Sequence, residues 1–299
     1  QSLEENGMQV VKYVIPHGEA SKTPENYFSL IMFLAENSLS TKDAVVALGG
    51  GVVGDLAGFA AATYRRGIVL CQIPTTVLAA VDSSVGGKTA VDLPYGKNLL
   101  GSFYQPDIVI CDTDTFKTLP HEIYCDGCAE IIKYGCIWDR DLFESLEKND
   151  MSYASGEEVI RRCVEIKRDV VEQDERDTGV RKILNFGHTI GHAIELNSDF
   201  TVNHGHAVAA GMVVITNYAY KKGYCSSDTL ERLAELVKKY DLPDSTVYDG
   251  HSLATAMLAD KKRAGSKLDF ILLSDIGKCF VSPTDVDHLE EIVDAGLEK

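Results

Sequence analysis

The sequence predicts an α/β protein, with an N-terminal Rossmann-like parallel sheet followed by a C-terminal, mostly α-helical half. Three observations carry that expectation. The 299 residues are 45% hydrophobic and 25% charged, the balance of an ordinary globular protein and enough chain for about two domains. In the first third, short β-rich runs alternate with helical patterns, the spacing that crossovers between parallel strands require. From about Leu119 onward, helical periodicity takes over.

The elements follow in order. Residues 10–15 read as a strand, 23–36 as a helix, and 43–48, 68–73 and 107–111 as further strands. An Asp/Thr cluster closed by Pro120 punctuates 113–120, so the boundary falls there, with an α/β domain over 1–117 and a helical domain over 118–299. Helical spacing recurs at 142–146, 157–173, 183–196, 207–222 and 229–239, and 268–273 reads as a late strand. No internal repeat is visible.

Acidic residues outnumber basic ones by 45 to 29, a net charge of −16. Nucleic acid and anionic membrane both repel such a chain, so neither is an expected partner, and any anionic ligand needs a local cationic cluster. The most apolar stretch, 44–64, is broken by five glycines and Asp55 and is not read as a membrane span. No transmembrane helix or signal peptide is visible; the chain begins at Gln1 rather than Met, so a native N-terminal segment is expected ahead of it. Eight cysteines are too sparse for a disulfide scaffold, which points to a reducing compartment. Cys125 and Cys128 form a C-x-x-C, but no second pair completes a four-cysteine zinc site, and buried free thiols are expected.

Several motifs carry chemistry. Ala44-Val-Val-Ala-Leu48 followed by Gly49-Gly-Gly-Val-Val-Gly-Asp55 fits strand, G-x-G-x-x-G turn and helix, where backbone N–H groups can meet a pyrophosphate. The acidic residue usual about 20 residues later in a Rossmann site is missing, because the next strand ends in Gln72-Ile-Pro-Thr-Thr76. Gly86-Gly-Lys-Thr89 resembles the end of a P-loop, but Asp82 stands where that loop needs glycine. Lys88, beside paired glycines, and Lys97-Asn98 after Gly96 remain phosphate-binding candidates. For a metal the candidates are Glu130, His188, His192, His204 and His206. His188 and His192, four apart, share a helical face, as two ligands of one ion would; of His204 and His206, two apart, at most one points the same way. Such a mixed His/Glu set favours zinc or a similar ion with an open position. Lys88, Lys97, Lys133, Lys167, Arg181, Lys261 and Lys262 lie near these motifs and suggest an anionic substrate.

Taken together these stretches resemble the 3-dehydroquinate synthases, a family of sugar-phosphate cyclases. Besides the glycine turn, the matching segments are Pro16-x-Gly18-Glu19-x-x-Lys22, Tyr64-Arg-Arg-Gly67, Val81-Asp-Ser-Ser-Val-Gly-Gly-Lys-Thr89, Ala129-Glu-Ile-Ile-Lys-Tyr-Gly135, Leu184-Asn-Phe-Gly-His-Thr-Ile-Gly-His-Ala-Ile-Glu195, His204-Gly205 and Asp260-Lys-Lys262, in family order along nearly the whole chain. The resemblance implies a cytoplasmic homodimer with an NAD-binding domain, a helical metal domain and the site in the cleft between them. It implies that the family's first strand and helix are missing ahead of Gln1. Glu130, His188 and His204 would hold zinc, with cobalt as an alternative, which replaces the helix-face expectation for His192. NAD would meet Glu19, Lys22, Gly50, Gly51, Asp55, Thr75, Thr76, Asp82 and Lys97. The substrate would meet Lys88, Asn98, Lys133, Lys167, Arg181, Asn185, His192 and Lys261 or Lys262, with Arg66 reaching across from the partner subunit.

The implied reaction converts 3-deoxy-D-arabino-heptulosonate 7-phosphate to 3-dehydroquinate. NAD oxidises the C5 hydroxyl transiently, phosphate leaves by elimination, the hydride returns, and ring opening with aldol closure completes the product. His206, where the family commonly has Glu, is expected either to perturb the zinc or, as the favoured alternative, to line the cleft, and Cys128 stands where Met is common. The competing expectations are a sister cyclase making inosose or valiolone rings, a glycerol or iron-type alcohol dehydrogenase, and an inactive paralogue or fragment.

Overall fold

The computed structural model describes residues 2–261 and 266–298, with the side chains of 260 and 261 left aside. It resolves into two compact units, residues 1–75 with 83–112, and residues 76–82 with 113–299.

The first unit begins with a single helical turn, α1 (Ser2–Glu5), and then helix α2 (Pro24–Glu36). Pro24 occupies the first helical turn and Thr23 caps it, its side-chain oxygen accepting from Asn26 N, which is why the helix starts there. Strand β1 (Ala44–Gly49), helix α3 (Gly51–Thr63) and strand β2 (Val69–Pro74) form one crossover, and β1 and β2 pair in parallel from Ala44 opposite Val69 to Gly49 opposite Pro74. Next come the antiparallel hairpin of β3 (Lys88–Leu93) and β4 (Gly96–Phe103), and β5 (Ile108–Val109), parallel to β2. Leu30 and Leu34 of α2, Leu56, Phe59 and Ala60 of α3, and Leu70 of β2 build the core. The opposite face of β1 leaves Val46 and Leu48 exposed. Residues 10–15, expected as a strand, join no sheet; their alternation records Tyr13 and Ile15 packing on this core, with Tyr13 against the Phe33 ring at 5.1 Å.

The second unit is the helical half: α4 (His121–Ile137), α5 (Arg140–Lys148), α6 (Glu157–Gln173), α7 (His188–Asn197), α8 (His204–Lys221), α9 (Ser227–Lys239) and α10 (Gly250–Lys261), then the hairpin of β6 (Lys267–Asp275) with β7 (Lys278–Asp285), and α11 (Leu289–Leu297). Asp139 and Ser226 cap α5 and α9 through Leu142 N and Thr229 N. α4 is buried without interruption from Cys125 to Ile137, so it runs through the centre of its unit rather than along its surface. Among the described residues no helix is long and apolar enough to cross a membrane.

Gly187 sets the approach of α7 to α8. Its φ of +78° is left-handed, and a Cβ there would lie 2.7 Å from Val208 O and 2.9 Å from Met212 N. Gly187→Ala is expected to cost about 2 kcal/mol or more, from strain plus backbone collision. A lowered denaturant midpoint at unchanged m-value would show it.

Candidate functional site

The chemistry of the second unit gathers on α4, α6, α7 and α8. Glu130 is wholly buried, and neither of its oxygens has a hydrogen bond. A buried, unsatisfied carboxylate is costly unless a cation answers it. Lys133, one turn along α4 and equally buried, is in ion-pair contact with it. His188 Nε2 and His204 Nε2 stand 3.5 and 3.6 Å from Glu130 Oε1. Ligand atoms about 2.0–2.1 Å from a tetrahedral metal lie roughly 3.3 Å apart, so each imidazole stands within a few tenths of an ångström of that spacing from Glu130, and all three ligand atoms lie within 4.8 Å of one another.

The second ring nitrogens complete the fit. His188 Nδ1 lies 3.1 Å from Phe186 O, and His204 Nδ1 lies 3.2 Å from Glu195 Oε2. Each Nδ1 donating to its oxygen leaves an Nε2 lone pair on the Glu130 side, the supporting arrangement of metal-bound imidazoles. His192, Glu195 and His204 also fall within ligand range of one another. Glu195 is already committed to His204 Nδ1, however, which makes it a support for the imidazole rather than a ligand. His188 and His192 do share a face of α7, with rings 5.5 Å apart, but the trio completed by Glu130 contains His188 and not His192.

Electrostatics follow from burial and neighbours. Burial disfavours the charge on Glu130, but Lys133 and His188 outweigh it and hold the carboxyl at about 2. Burial and the Lys133 ammonium push His188 down to about 3, so it is neutral. Burial acts the same way on His204, where the Glu130 and Glu195 carboxylates prevail and raise it to about 10. Binding of a metal through His204 Nε2 would require that nitrogen to give up its proton.

Asp82 is carried by a π-helical turn, Ala79–Ser83, a local irregularity that turns its carboxylate to the buried lysines. Lys167 Nζ donates to Asp82 O at 2.5 Å and to Asp82 Oδ1 at 2.9 Å, Lys133 Nζ is 3.9 Å from the same oxygen, and Tyr134 OH donates to it at 3.0 Å. Burial works against the Asp82 charge, but the two ammoniums hold its carboxyl well below the usual range. Thr76 Oγ1 accepts from Ala79 N at the start of that turn. Asn185, His188 and His192 line a cavity of about 330 Å³ together with Lys182, Asp177 and Asp269, and Lys182 Nζ reaches Asp269 Oδ2 at 2.8 Å. Arg181 is buried and its guanidinium donates to Glu175 O at 2.6 Å. Lys261 ends α10, and Lys262 lies outside the described residues.

In the first unit the glycine turn is as expected: Gly50 precedes α3, Gly51 opens it, and Asp55 follows one turn later. Lys22 centres a polar cluster, with Nζ 2.7 Å from Asp55 Oδ2, 2.5 Å from Asn98 Oδ1 and 3.7 Å from Glu19 Oε1. Lys97 Nζ is 3.9 Å from the same Glu19 oxygen. Burial penalises the Lys22 charge, yet Asp55 and Glu19 raise its pKa. Asn98 N donates to Asp92 Oδ1, and Asp92 N to Lys22 O, so the hairpin is tied to the cluster. Thr75 N donates to Gly49 O at 2.9 Å, joining the ends of β1 and β2. Lys88, opening β3, and Arg66 are both exposed.

Comparison with known proteins decides what this set belongs to. Residues 12–126 match the family described as the 3-dehydroquinate synthase N-terminal domain, and residues 127–263 match its C-terminal domain. The chain is 46% identical over 296 residues to the 3-dehydroquinate synthase of Clostridium perfringens (strain 13), covering 97% of this chain and 84% of the relative. It is 45% identical over 304 residues to that of Pelobacter propionicus, covering 99% and 84%. The chain belongs to the 3-dehydroquinate synthase family. Its members are lyases of the shikimate pathway of aromatic biosynthesis. A crystal structure of 2-deoxy-scyllo-inosose synthase with carbaglucose-6-phosphate, NAD+ and Co2+ superposes with a TM-score of 0.84 at 31% identity, over 94% of this chain and 81% of that one. The α/β fold with a helical C-terminal part is thus the fold of the sugar-phosphate cyclases.

Sequence reasoning had no role for Glu195, Asp126 or Lys182. Glu195 closes the segment quoted from α7, but its use depends on the turn that returns α8 beside it. Asp126 Oδ1 accepts from both His206 N and His206 Nδ1 at 3.0 Å, and His206 belongs to neither histidine trio. Glu195→Ala is expected to weaken metal binding about 10- to 100-fold, the usual cost of losing such a support. Dialysis against graded chelator followed by metal analysis reads this directly.

Proposed function

We propose that this chain converts 3-deoxy-D-arabino-heptulosonate 7-phosphate to 3-dehydroquinate and inorganic phosphate, with Glu130, His188 and His204 holding a divalent metal, zinc or cobalt. The observation that supports it most is the wholly buried Glu130 carboxylate, in ion-pair contact with Lys133 and faced by two imidazoles. When bound, NAD takes up and returns one hydride, and the metal draws electron density from neighbouring substrate oxygens.

The chain's own residues bind and orient. Lys22 balances Asp55 and Glu19 and presents, with Lys97 and Asn98, the polar surface proposed to meet NAD at the glycine turn of Gly50 and Gly51. Asp82 is assigned to holding Lys167 in place, since its recorded contacts are to Lys167, Lys133 and Tyr134. Lys133, Lys167, Asn185 and His192 are assigned to the substrate's hydroxyls, carboxylate and phosphate, and Lys182, paired with Asp269, lines the cavity beside Asn185 and His192. Lys88, Arg181 and Lys261 or Lys262 complete the cationic set, and much of the rate comes from fixing a molecule that is reactive once oxidised. We further propose a cytoplasmic homodimer in which Arg66 serves the partner's site; sedimentation at micromolar concentration should give twice the mass of the 299-residue chain.

The likeness to 2-deoxy-scyllo-inosose synthase favours one second reading, a sister cyclase acting on a hexose phosphate. Competition separates the two. Offered equal heptulosonate 7-phosphate and glucose 6-phosphate, the enzyme is expected to release phosphate only from the heptulosonate and to yield dehydroquinate by mass. Turnover of the hexose phosphate alone would transfer the assignment to the sister enzymes.

A further inference from the structure

A second cluster of metal-ligating atoms lies outside the site above. On the first two turns of α4, His121 and Cys125 are four residues apart and so share a face. Asp241, with a left-handed φ of +52°, follows the end of α9. His121 Nε2 lies 2.8 Å from Asp241 Oδ2, and Cys125 Sγ lies 3.4 Å from the same nitrogen. All three ligand atoms fall within 4.8 Å of one another. Glu130 is nine residues beyond His121 and five beyond Cys125 along α4, about 13 and 8 Å of helix rise, and the two trios share no residue.

One nitrogen cannot serve both neighbours. If Nε2 carries the proton it donates to Asp241 and offers Cys125 no lone pair; if it carries none, the thiol can donate to it but the carboxylate is left facing a lone pair. A thiol sulfur, an imidazole nitrogen and a carboxylate oxygen thus converge within 4.8 Å of one another, a set that a divalent cation can bridge. The donor set suits such a cation. Sulfur and nitrogen at about 2.3 and 2.0 Å from a tetrahedral zinc lie roughly 3.5 Å apart, close to the distance found. The His121–Asp241 pair must open by about half an ångström, which two largely exposed side chains can do. A thiolate, a carboxylate and a neutral imidazole make the complex with a dication neutral overall.

We propose that His121, Cys125 and Asp241 form a second site for a borderline divalent cation of the zinc or cobalt type, its remaining position open to water. Binding releases the Cys125 thiol proton to solvent, leaves the His121 proton on Nδ1, and forms one bond to each of Sγ, Nε2 and an Asp241 carboxylate oxygen. The metal ties the start of α4, the helix carrying Glu130 and Lys133, to the end of α9. The C-x-x-C that has no partner pair in the sequence thereby contributes one thiol to a site completed by the histidine four residues before it.

Cobalt titration of the metal-free protein tests this, because the Glu130 trio contains no sulfur, so a thiolate-to-cobalt charge-transfer band in the near ultraviolet does not come from it, and its loss in Cys125→Ser assigns the band to the new site. The expected result is two bound equivalents with that band in the wild type, one equivalent and no band in Cys125→Ser, and a band retained in Glu130→Gln. Asp241→Asn, an exposed change that leaves the core intact, should raise the cobalt concentration needed for the band at least tenfold. One bound equivalent without the band in the wild type, or a band that survives Cys125→Ser, would overturn the proposal, and either outcome leaves the assignment of the Glu130 trio standing.

Discussion

Glu130→Gln is expected to lower turnover at least about 10³-fold and to abolish tight metal binding at its trio. The reasoning is one of charge. The amide keeps the shape of the side chain but removes the anion that two imidazoles and Lys133 surround, so a dication there loses its only carboxylate ligand. A Lewis-acid metal supplies several kcal/mol of stabilisation to developing negative charge, and about 4 kcal/mol is three decades of rate. The loss should appear in kcat more than in KM, because the metal's contribution grows as the reaction proceeds. Metal analysis after gel filtration, beside a circular-dichroism check of folding, measures it; near wild-type turnover with metal retained would remove Glu130 from the ligand set.

Asp82→Asn is expected to destabilise the protein by about 3 kcal/mol, lowering Tm by roughly 6–12 °C for a unit of this size. Lys133 and Lys167, almost fully buried, then share Glu130 as their remaining carboxylate, and Tyr134 OH loses a charged acceptor. The pH dependence has a definite sign. The Asp82 carboxyl lies below its ordinary value in the folded state, so its stabilisation is fully present above that ordinary value, near pH 4, and is lost as pH falls further. The difference in stability between wild type and Asp82→Asn should therefore be constant from pH 8 to about 5 and shrink below about 4. A difference that persists undiminished at pH 3 would show that Asp82 acts through packing and not through charge.

The legible parts of this protein are those in which periodicity and burial coincide. β1 and β2 were readable at 43–48 and 68–73 because apolar residues run between glycine or proline punctuation, and α6 was readable over its whole length because its buried residues recur at helical spacing. The β3–β4 hairpin was not read, since Gly96, Lys97, Asn98 and Gly101 break any strand pattern and its pairing is set by tertiary contacts. Residues 10–15 gave the opposite error, an alternation produced by packing on a core rather than by a ladder. In the site, the helix-face argument placed His188 and His192 together, but spacing alone has no means to bring in Glu130, 58 positions earlier, or to choose between His192 and His204. That choice came from the family resemblance. Glu195, Asp126 and Lys182 depend on how α4, α7, α8 and β6 return to one another, which local sequence does not encode.

The most direct measurement is to follow phosphate and NADH together while the enzyme, with NAD and zinc, consumes 3-deoxy-D-arabino-heptulosonate 7-phosphate. The expected result is one phosphate per dehydroquinate formed, no accumulation of NADH, and loss of both products on chelation. NADH accumulating in step with substrate loss, without phosphate release, would contradict it and place the chain's chemistry with the alcohol dehydrogenases instead.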